Sequence, residues 1–444
     1  MNKTSLGWFG IIRLALVQSA IGAIIVLTTS TFNRVMVVEL ALPASLPAGL
    51  VAWHYMLQLS RPRWGHGSDN GQSRTPWIVV GMGVLALGAI IAANATVTMA
   101  SSLVWGIILG IVAFAMIGAG VAAAGTSLLA LLATKVAPER RPAAAAIAWI
   151  MMIFGIVFTA GMAGHFLDPY SAQRLVLVAS AVAGTAFIVA LLAVRGVEDS
   201  LEDQTVAETP EPQPFREVLR QIWKEKLARD FTIFVFLSML AYSAQELIVE
   251  PYAGLVFGFT IGKSTQLAGF QHGGVLVGMI LVGLVGTLIK GDKTAWMKGT
   301  VLFGCVASAL ALVGLSIAGF EKAVLPLQPM VFGLGFANGI FAVSAIGLMM
   351  SFAGAGRGSR GGVRMGVWGA AQAAAFAIGG FAGASGLDLM RHTVSSTPLA
   401  FTIVFSIEAI LFLAAAIFST QLGKTDDAPS HDPSMIPSNA VSTP

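Results

Sequence analysis

Twelve apolar stretches, each near the length of a membrane crossing, follow one another along this chain. They are residues 10–38, 44–60, 77–99, 103–134, 142–166 and 172–195, then 230–258, 264–289, 297–319, 328–352, 364–389 and 396–422. The hydrocarbon core of a bilayer is about 30 Å thick and takes about 20 helical residues to cross. Inside it a helix satisfies its own backbone, which an open strand does not. The expected fold class is therefore an all-α polytopic membrane protein with 12 transmembrane helices. Composition agrees. Of 444 residues, 56% are hydrophobic and 11% charged, too few charges to clothe a water-soluble surface. The single cysteine, Cys305, excludes a disulfide scaffold, and the apolar content excludes disorder. The first stretch is too long for a signal peptide and lacks a cleavage site, so it is expected to stay as an anchor.

Basic residues divide between alternate loops. Twenty of the 26 Lys and Arg lie in one set of loops and at the two ends. The opposite set holds four, Arg174, Lys263, Lys322 and Arg391. This bias predicts cytoplasmic termini and a cytoplasmic central loop. The net charge of +4 is thus a matter of orientation, and no nucleic-acid partner is implied.

Residues 196–229 are the one long hydrophilic break. They separate an N-terminal half, 1–195, from a C-terminal half, 230–422, with six spans in each. The break begins acidic, with Glu198, Asp199, Glu202 and Asp203, which read as a solvated charge run in a flexible linker. From 215 to 229 it becomes amphipathic, with Phe215, Val218, Leu219, Ile222 and Trp223 on one face, as in a helix lying on a lipid surface. Residues 423–444 read as a disordered cytoplasmic tail. The halves repeat weakly. Gly161-x-x-Gly164 returns at Gly383-x-x-Gly386, Asp69 at Asp292 and Arg141 at Arg364, all at offsets of 222 or 223. Two parallel six-helix halves predict a rocking architecture with a cavity at their interface.

Charged residues inside spans are costly, about 2.5–3.5 kcal/mol each on insertion scales, and are candidates for function. Glu246 and Glu250 are four apart and share a helix face. Pro251 predicts a break beside Glu250. Arg34, far along span one at similar depth, is the expected partner of one of these acids, with Glu39 as the competing partner. Glu408 stands alone in span twelve, structural or proton-accessible. His272 and His54 are intramembrane histidines, suited either to hydrogen bonding inside the bundle or to contact with a ligand. The 50 glycines allow close helix packing or room for a flat ligand. No Asp-rich prenyltransferase motif, P-loop, Cys/His cluster or nucleophile elbow appears, so neither enzyme chemistry nor a metal site is expected.

Two sets of residues carry resemblances. The loop Gly65-His66-Gly67-Ser68-Asp69-Asn70-Gly71-Gln72-Ser73-Arg74 resembles the signature loop of the major facilitator superfamily. Gly65, Asp69 and Arg74 would then form a gate, with Asp69 at a helix end pairing with Arg74 or capping a neighbouring helix. Thr31-Phe32-Asn33-Arg34, Gln245-Glu246-Leu247-Ile248-Val249-Glu250-Pro251-Tyr252 and Arg364-Met365-Gly366-Val367-Trp368-Gly369-Ala370-Ala371-Gln372 together resemble the PucC/LhaA family, the bacteriochlorophyll delivery branch of that superfamily. The resemblance covers nearly all twelve spans and fails in the linker and tail. Trp53, His54, Tyr55 and Arg61-Pro62-Arg63-Trp64 depart from the light-harvesting assembly factors and point to the sub-branch once labelled a bacteriochlorophyll synthase chain.

The resemblance implies a bacterial inner-membrane protein, cytoplasmic or intracytoplasmic. It would be a factor that handles bacteriochlorophyll or a precursor, with no tightly bound cofactor. Light-harvesting polypeptides or bacteriochlorophyll synthase would be its partners, besides lipid. Asn33, Arg34, Gln245, Glu246, Glu250 and Gln372 would serve substrate or coupling, and His272 and His54 would be the pigment ligands. A proton-coupled permease for a small amphipathic solute and an accessory subunit of pigment synthesis remain the alternatives.

Overall fold

The computed structural model describes residues 6–60, 73–137, 140–198, 225–289, 292–320, 326–354 and 361–422. Gly65 and Asp69, most of the linker with its amphipathic segment, and the tail lie outside them. The described chain is helical throughout. Helix α1 runs Trp8–Val26 and continues through π-helical segments Leu27–Phe32 and Val35–Glu39. There follow α2 (Ser45–Gln58), α3 (Thr75–Ser101), α4 (Leu103–Lys135), α5 (Arg141–Leu167) and α6 (Ala172–Val194). The seventh span is split into α7 (Lys226–Glu246) and α8 (Val249–Phe257). Then come α9 (Ile261–Leu288), α10 (Lys293–Ala318), α11 (Leu327–Gly354), α12 (Gly361–Thr393) and α13 (Thr397–Gln421). These make twelve spans. Eleven are long and apolar enough among the described residues to cross a membrane, and α2 has 14 described residues.

Packing sorts the helices into two sets. The first six spans pack as α3 on α4 and α6, α1 on α5 and α6, and α2 on α4. The last six pack as α9 and α10 on α11, α7 on α12, and α10 and α7 on α13. The sets meet along α5 with α9 and α2 with α12. Small residues set the distances. A Cβ on Gly335 of α11 would collide with the Gln271 carbonyl of α9, and one on Gly339 with that of Val275. From the other side, Gly274 and Gly278 of α9 face the carbonyls of Phe332 and Phe336. Each helix thus presents a Gly-x-x-x-Gly pair to the other's backbone, the close approach that membrane helices use in place of a hydrophobic drive.

The helix starts show why one acid was misread in the sequence. Asp292 caps α10, accepting from the Thr294 and Ala295 N–H groups at 2.8 and 3.2 Å. The repeat-related helix α3 is capped instead by Glu198, which arrives from the start of the linker. Its carboxylate accepts from Arg74 N at 2.9 Å, Thr75 N at 2.8 Å and the Ser73 hydroxyl. Glu198 is therefore a tether, and only the acids after it remain candidates for a solvated run. Burial pushes its carboxyl up, yet the bonds from Ser73, Arg74 and Thr75 outweigh burial and hold it below the ordinary range. Removing such a cap costs roughly 1 kcal/mol, so Glu198→Ala is expected to melt lower than wild type at neutral pH. The wild-type advantage is full above the unfolded carboxyl value of 4.5 and is lost as pH falls through the lower folded value. Melts of both proteins through an acidic series should converge, and a gap that stays constant would contradict the assignment.

Candidate functional site

The two halves are latched at the end opposite the chain termini, by acids carried on the corresponding spans five and eleven. Asp168, just past α5, accepts from the Gly262 N–H at 3.0 Å and the Thr260 hydroxyl at 2.6 Å, so it caps α9 of the other half. Asp388, on α12, accepts from the N–H groups of Ala44 and Ser45 at 2.8 and 2.7 Å, so it caps α2 of the first half. Each half thus supplies a carboxylate to an orphan helix N-terminus of the other, where the macrodipole favours negative charge. Between α5 and α9 the backbones nearly touch, since a Cβ on Gly164 would lie 2.6 Å from the Gly262 carbonyl.

Beside these latches lies the joint of the first and seventh spans. Pro251 has no N–H to give the Leu247 carbonyl four residues back. The helix breaks at Leu247–Ile248, three residues before the proline, and restarts at Val249 with Pro251 tolerated in its first turn. Asn33 takes up the freed carbonyl, donating from Nδ2 to Leu247 O at 2.7 Å. The Ser30 hydroxyl donates to Glu250 Oε1, and the hydroxyls of Thr31 and Thr265 lie 3.3 Å apart. All of these side chains are buried. The π-helical turns of α1 coincide with the run Thr28-Thr29-Ser30-Thr31, where Thr28 and Thr29 both return their hydroxyls to the Ile25 carbonyl and compete with the regular backbone ladder.

Of the two partners expected for Arg34, this structure shows the ion pair with Glu39 of its own span, not with Glu246 or Glu250, while the Arg34 charge still acts on Glu250 through space. The reason is local. The π segment Val35–Glu39 bonds with a five-residue period, which brings position i+5 over position i. The guanidinium still ties the halves together through neutral partners, donating to the Phe259 carbonyl at 2.7 Å and to Ser264 Oγ at 3.4 Å. Tyr170, in the loop after α5, senses the same pair. Burial first, and then the Glu39 charge, raise its hydroxyl above the ordinary value against the pull of Arg34.

Nearer the termini an aromatic junction joins three helices. Phe376 of α12 meets Tyr55 of α2 at 5.2 Å between centroids and Tyr242 of α7 at 5.7 Å. Glu246 is one turn beyond Tyr242 and Gln372 one turn before Phe376, and all five side chains are half-buried. Composition offered one clue, since only four tyrosines exist in the chain and two of them stand here. The histidines separate. Nε2 of His54 lies 2.8 Å from Gln58 Nε2 within its own helix, which commits that nitrogen. His272 of α9 is buried and has Nδ1 2.9 Å from the Ala268 carbonyl, so Nδ1 carries the proton and Nε2 the lone pair. Arg74 stands at the N-cap of α3 as described, without Asp69 among the described residues to complete the gate. No cluster of metal-ligating residues occurs among the described residues. A groove of ≈ 720 Å³ on the outer flank of α3 and α6, lined by Val97, Val176, Leu177 and Ser180 among others, carries no titratable group and lies away from the junction.

Comparison with known proteins places this architecture. The family model described as PUCC protein matches residues 31–426. The bacteriochlorophyll synthase 44.5 kDa chain of Rhodobacter capsulatus is 53% identical over 418 residues, 94% of this chain and 96% of that one. Protein PucC of Cereibacter sphaeroides is 29% identical over 429 residues, 92% of this chain and 90% of that one. Among solved structures, a POT family transporter in complex with 5-aminolevulinic acid superposes with a TM-score of 0.70 at 14% identity, over 95% of this chain and 99% of that one. A D-xylose-proton symporter does so at 0.68 and 15% identity, over 93% and 97%. At such identities the likeness is one of fold, and the fold is of the major facilitator type. With the family model matched over nearly all of its spans, the chain belongs to the PucC family.

Proposed function

We propose that this protein is a non-enzymatic membrane factor that holds bacteriochlorophyll or a precursor and passes it to light-harvesting or other photosynthetic complexes. The observation that carries this reading is the aromatic junction. Tyr55, Phe376 and Tyr242 belong to both halves, and a flat macrocycle gains most by stacking on such faces. Glu246 and Gln372 flank it as the few polar groups that orient an otherwise apolar ligand. His272 holds the tautomer an axial magnesium ligand requires, its other nitrogen fixed by a backbone carbonyl. The family supports the pigment class, and the name of the relative at 53% identity supports bacteriochlorophyll synthase beside light-harvesting polypeptides as a partner. The Lys and Arg bias supports an inner-membrane orientation with both termini cytoplasmic and the latched end away from the cytoplasm.

A proton-coupled permease is the second reading, favoured by the acids of the seventh span and by the fold shared with a proton symporter. The two separate in one preparation. Bacteriochlorophyll titrated into purified protein in lipid nanodiscs should bind saturably, and Phe376→Ala should weaken binding about tenfold, the loss of roughly one aromatic contact pair. Absence of saturable binding, with solute-driven proton uptake in vesicles, would replace the pigment reading with the permease.

A further inference from the structure

We propose that the joint of the first and seventh spans is a binding site for a monovalent cation, sodium, held by Glu250, Asn33 and Gln245 together with Ser30. The case begins with what those groups lack. Asn33 Oδ1, Glu250 Oε2 and both polar atoms of Gln245 are buried without a hydrogen-bond partner, and the three residues are 1%, 3% and 0% exposed. A buried polar group left unmade costs about 1–3 kcal/mol, so three residues at one joint are expensive unless something else meets them. They belong to one place. Asn33 is fixed on the Leu247 carbonyl, Ser30 is fixed on Glu250, and Gln245 is the last residue but one of the helix whose break lies between those contacts.

The unmet atoms are mostly acceptors, which selects the ligand. One proton on Glu250 would give a single donor to Asn33 Oδ1, Glu250 Oε2 and Gln245 Oε1. A cation meets all of them at once, and Ser30 Oγ keeps lone pairs for it after donating to Glu250. Charge points the same way. Arg34 pairs with Glu39 and otherwise donates to Phe259 and Ser264, so its charge reaches Glu250 through space and not through a bond. In its ionised form Glu250 has no cationic group bonded to it, and one monovalent ion would balance it. A single carboxylate with neutral oxygens is too little charge for a hard divalent ion, which gathers several carboxylates. The helix break adds a third argument. α7 ends here, and the C-terminal end of a half-helix carries partial negative charge. Discontinuous spans in other transporters place coupling ions at such ends.

The test uses the full chain in nanodiscs with no pigment present, so its failure would leave the pigment reading standing. Melting temperature is followed as sodium chloride replaces choline chloride at constant ionic strength. Wild type should show a saturable rise with sodium, as for any ligand bound by the folded state alone. Glu250→Gln should bind sodium at least about tenfold more weakly. Gln245→Leu guards against a mere folding defect. It removes a buried amide with no partner, so in choline it should melt no lower than wild type while losing the sodium increment. A wild-type melt indifferent to the exchange of sodium for choline would overturn the site. So would a sodium increment that survives in both variants.

Discussion

Gly335→Leu is expected to prevent accumulation of the folded protein in the membrane. A Cβ at this position already collides with the Gln271 carbonyl, and the obstacle is backbone, which no rotamer relieves. The only relief is to part α9 from α11. That also opens the contacts of Gly339 with Val275, Gly274 with Phe332 and Gly278 with Phe336. Overpacking of a well-filled core costs about 1–3 kcal/mol even where side chains can yield. Separation of a glycine-lined pair should exceed that, against a total stability of about 5–15 kcal/mol. Gly335→Ala should accumulate at an intermediate level. Gly161→Ala should be silent, because a Cβ there meets nothing within 4 Å. Quantifying the folded fraction of each variant by detergent-resistant size exclusion checks the order, and wild-type levels of Gly335→Leu would show that α9 and α11 are not so packed.

Arg34→Ala is expected to release the latched end. The side chain contributes charged hydrogen bonds to Phe259 and Ser264 across the halves. Such bonds are each worth about 1.5–3 kcal/mol, so the ratio of closed to open molecules should fall roughly tenfold or more. Glu39 is the other half of the ion pair and is partly exposed, with 32% of its side chain accessible. Glu39→Ala alone should therefore be milder, and the double variant should be less harmful than the sum. The reporter is a cysteine at Ile261, buried in the closed state, in a Cys305→Ala background. Its labelling by a membrane-impermeant maleimide from the side opposite the termini should accelerate in Arg34→Ala. Unchanged labelling would show that the latch rests on Asp168 and Asp388 alone.

The sequence made the spans legible because one apolar stretch is one helix in a bilayer, whatever its neighbours do. The repeat placed Asp292 in the loop after span eight as the counterpart of Asp69, and the structure finds it capping the helix that follows. What could not be read were contacts that join distant segments. Asp168 and Asp388 look like ordinary acids at span ends until the other half's helix N-termini arrive beside them. Glu198 belonged by composition to an acidic run and by geometry to α3. Tyr55, Tyr242 and Phe376 share no motif, and only the fold makes them neighbours. Local reading also failed once within a helix. The spacing from Arg34 to Glu39 was judged against an α-helical turn, whereas the hydroxyl-rich end of the first span winds as a π-helix and makes that spacing the close one. The proline signal was sound and its consequence displaced, since a missing N–H at Pro251 opens the chain at the carbonyl it would have met, that of Leu247.

Pigment analysis of the full-length protein, purified from a bacteriochlorophyll-producing membrane in mild detergent, reaches the functional claim most directly. Absorption and chromatography of the extract should show bacteriochlorophyll or a precursor in fixed proportion to the wild-type chain, and a proportion reduced several-fold in Phe376→Ala at equal protein yield. A wild-type chain that purifies folded, without pigment, and that takes up none when bacteriochlorophyll is added back would contradict the account.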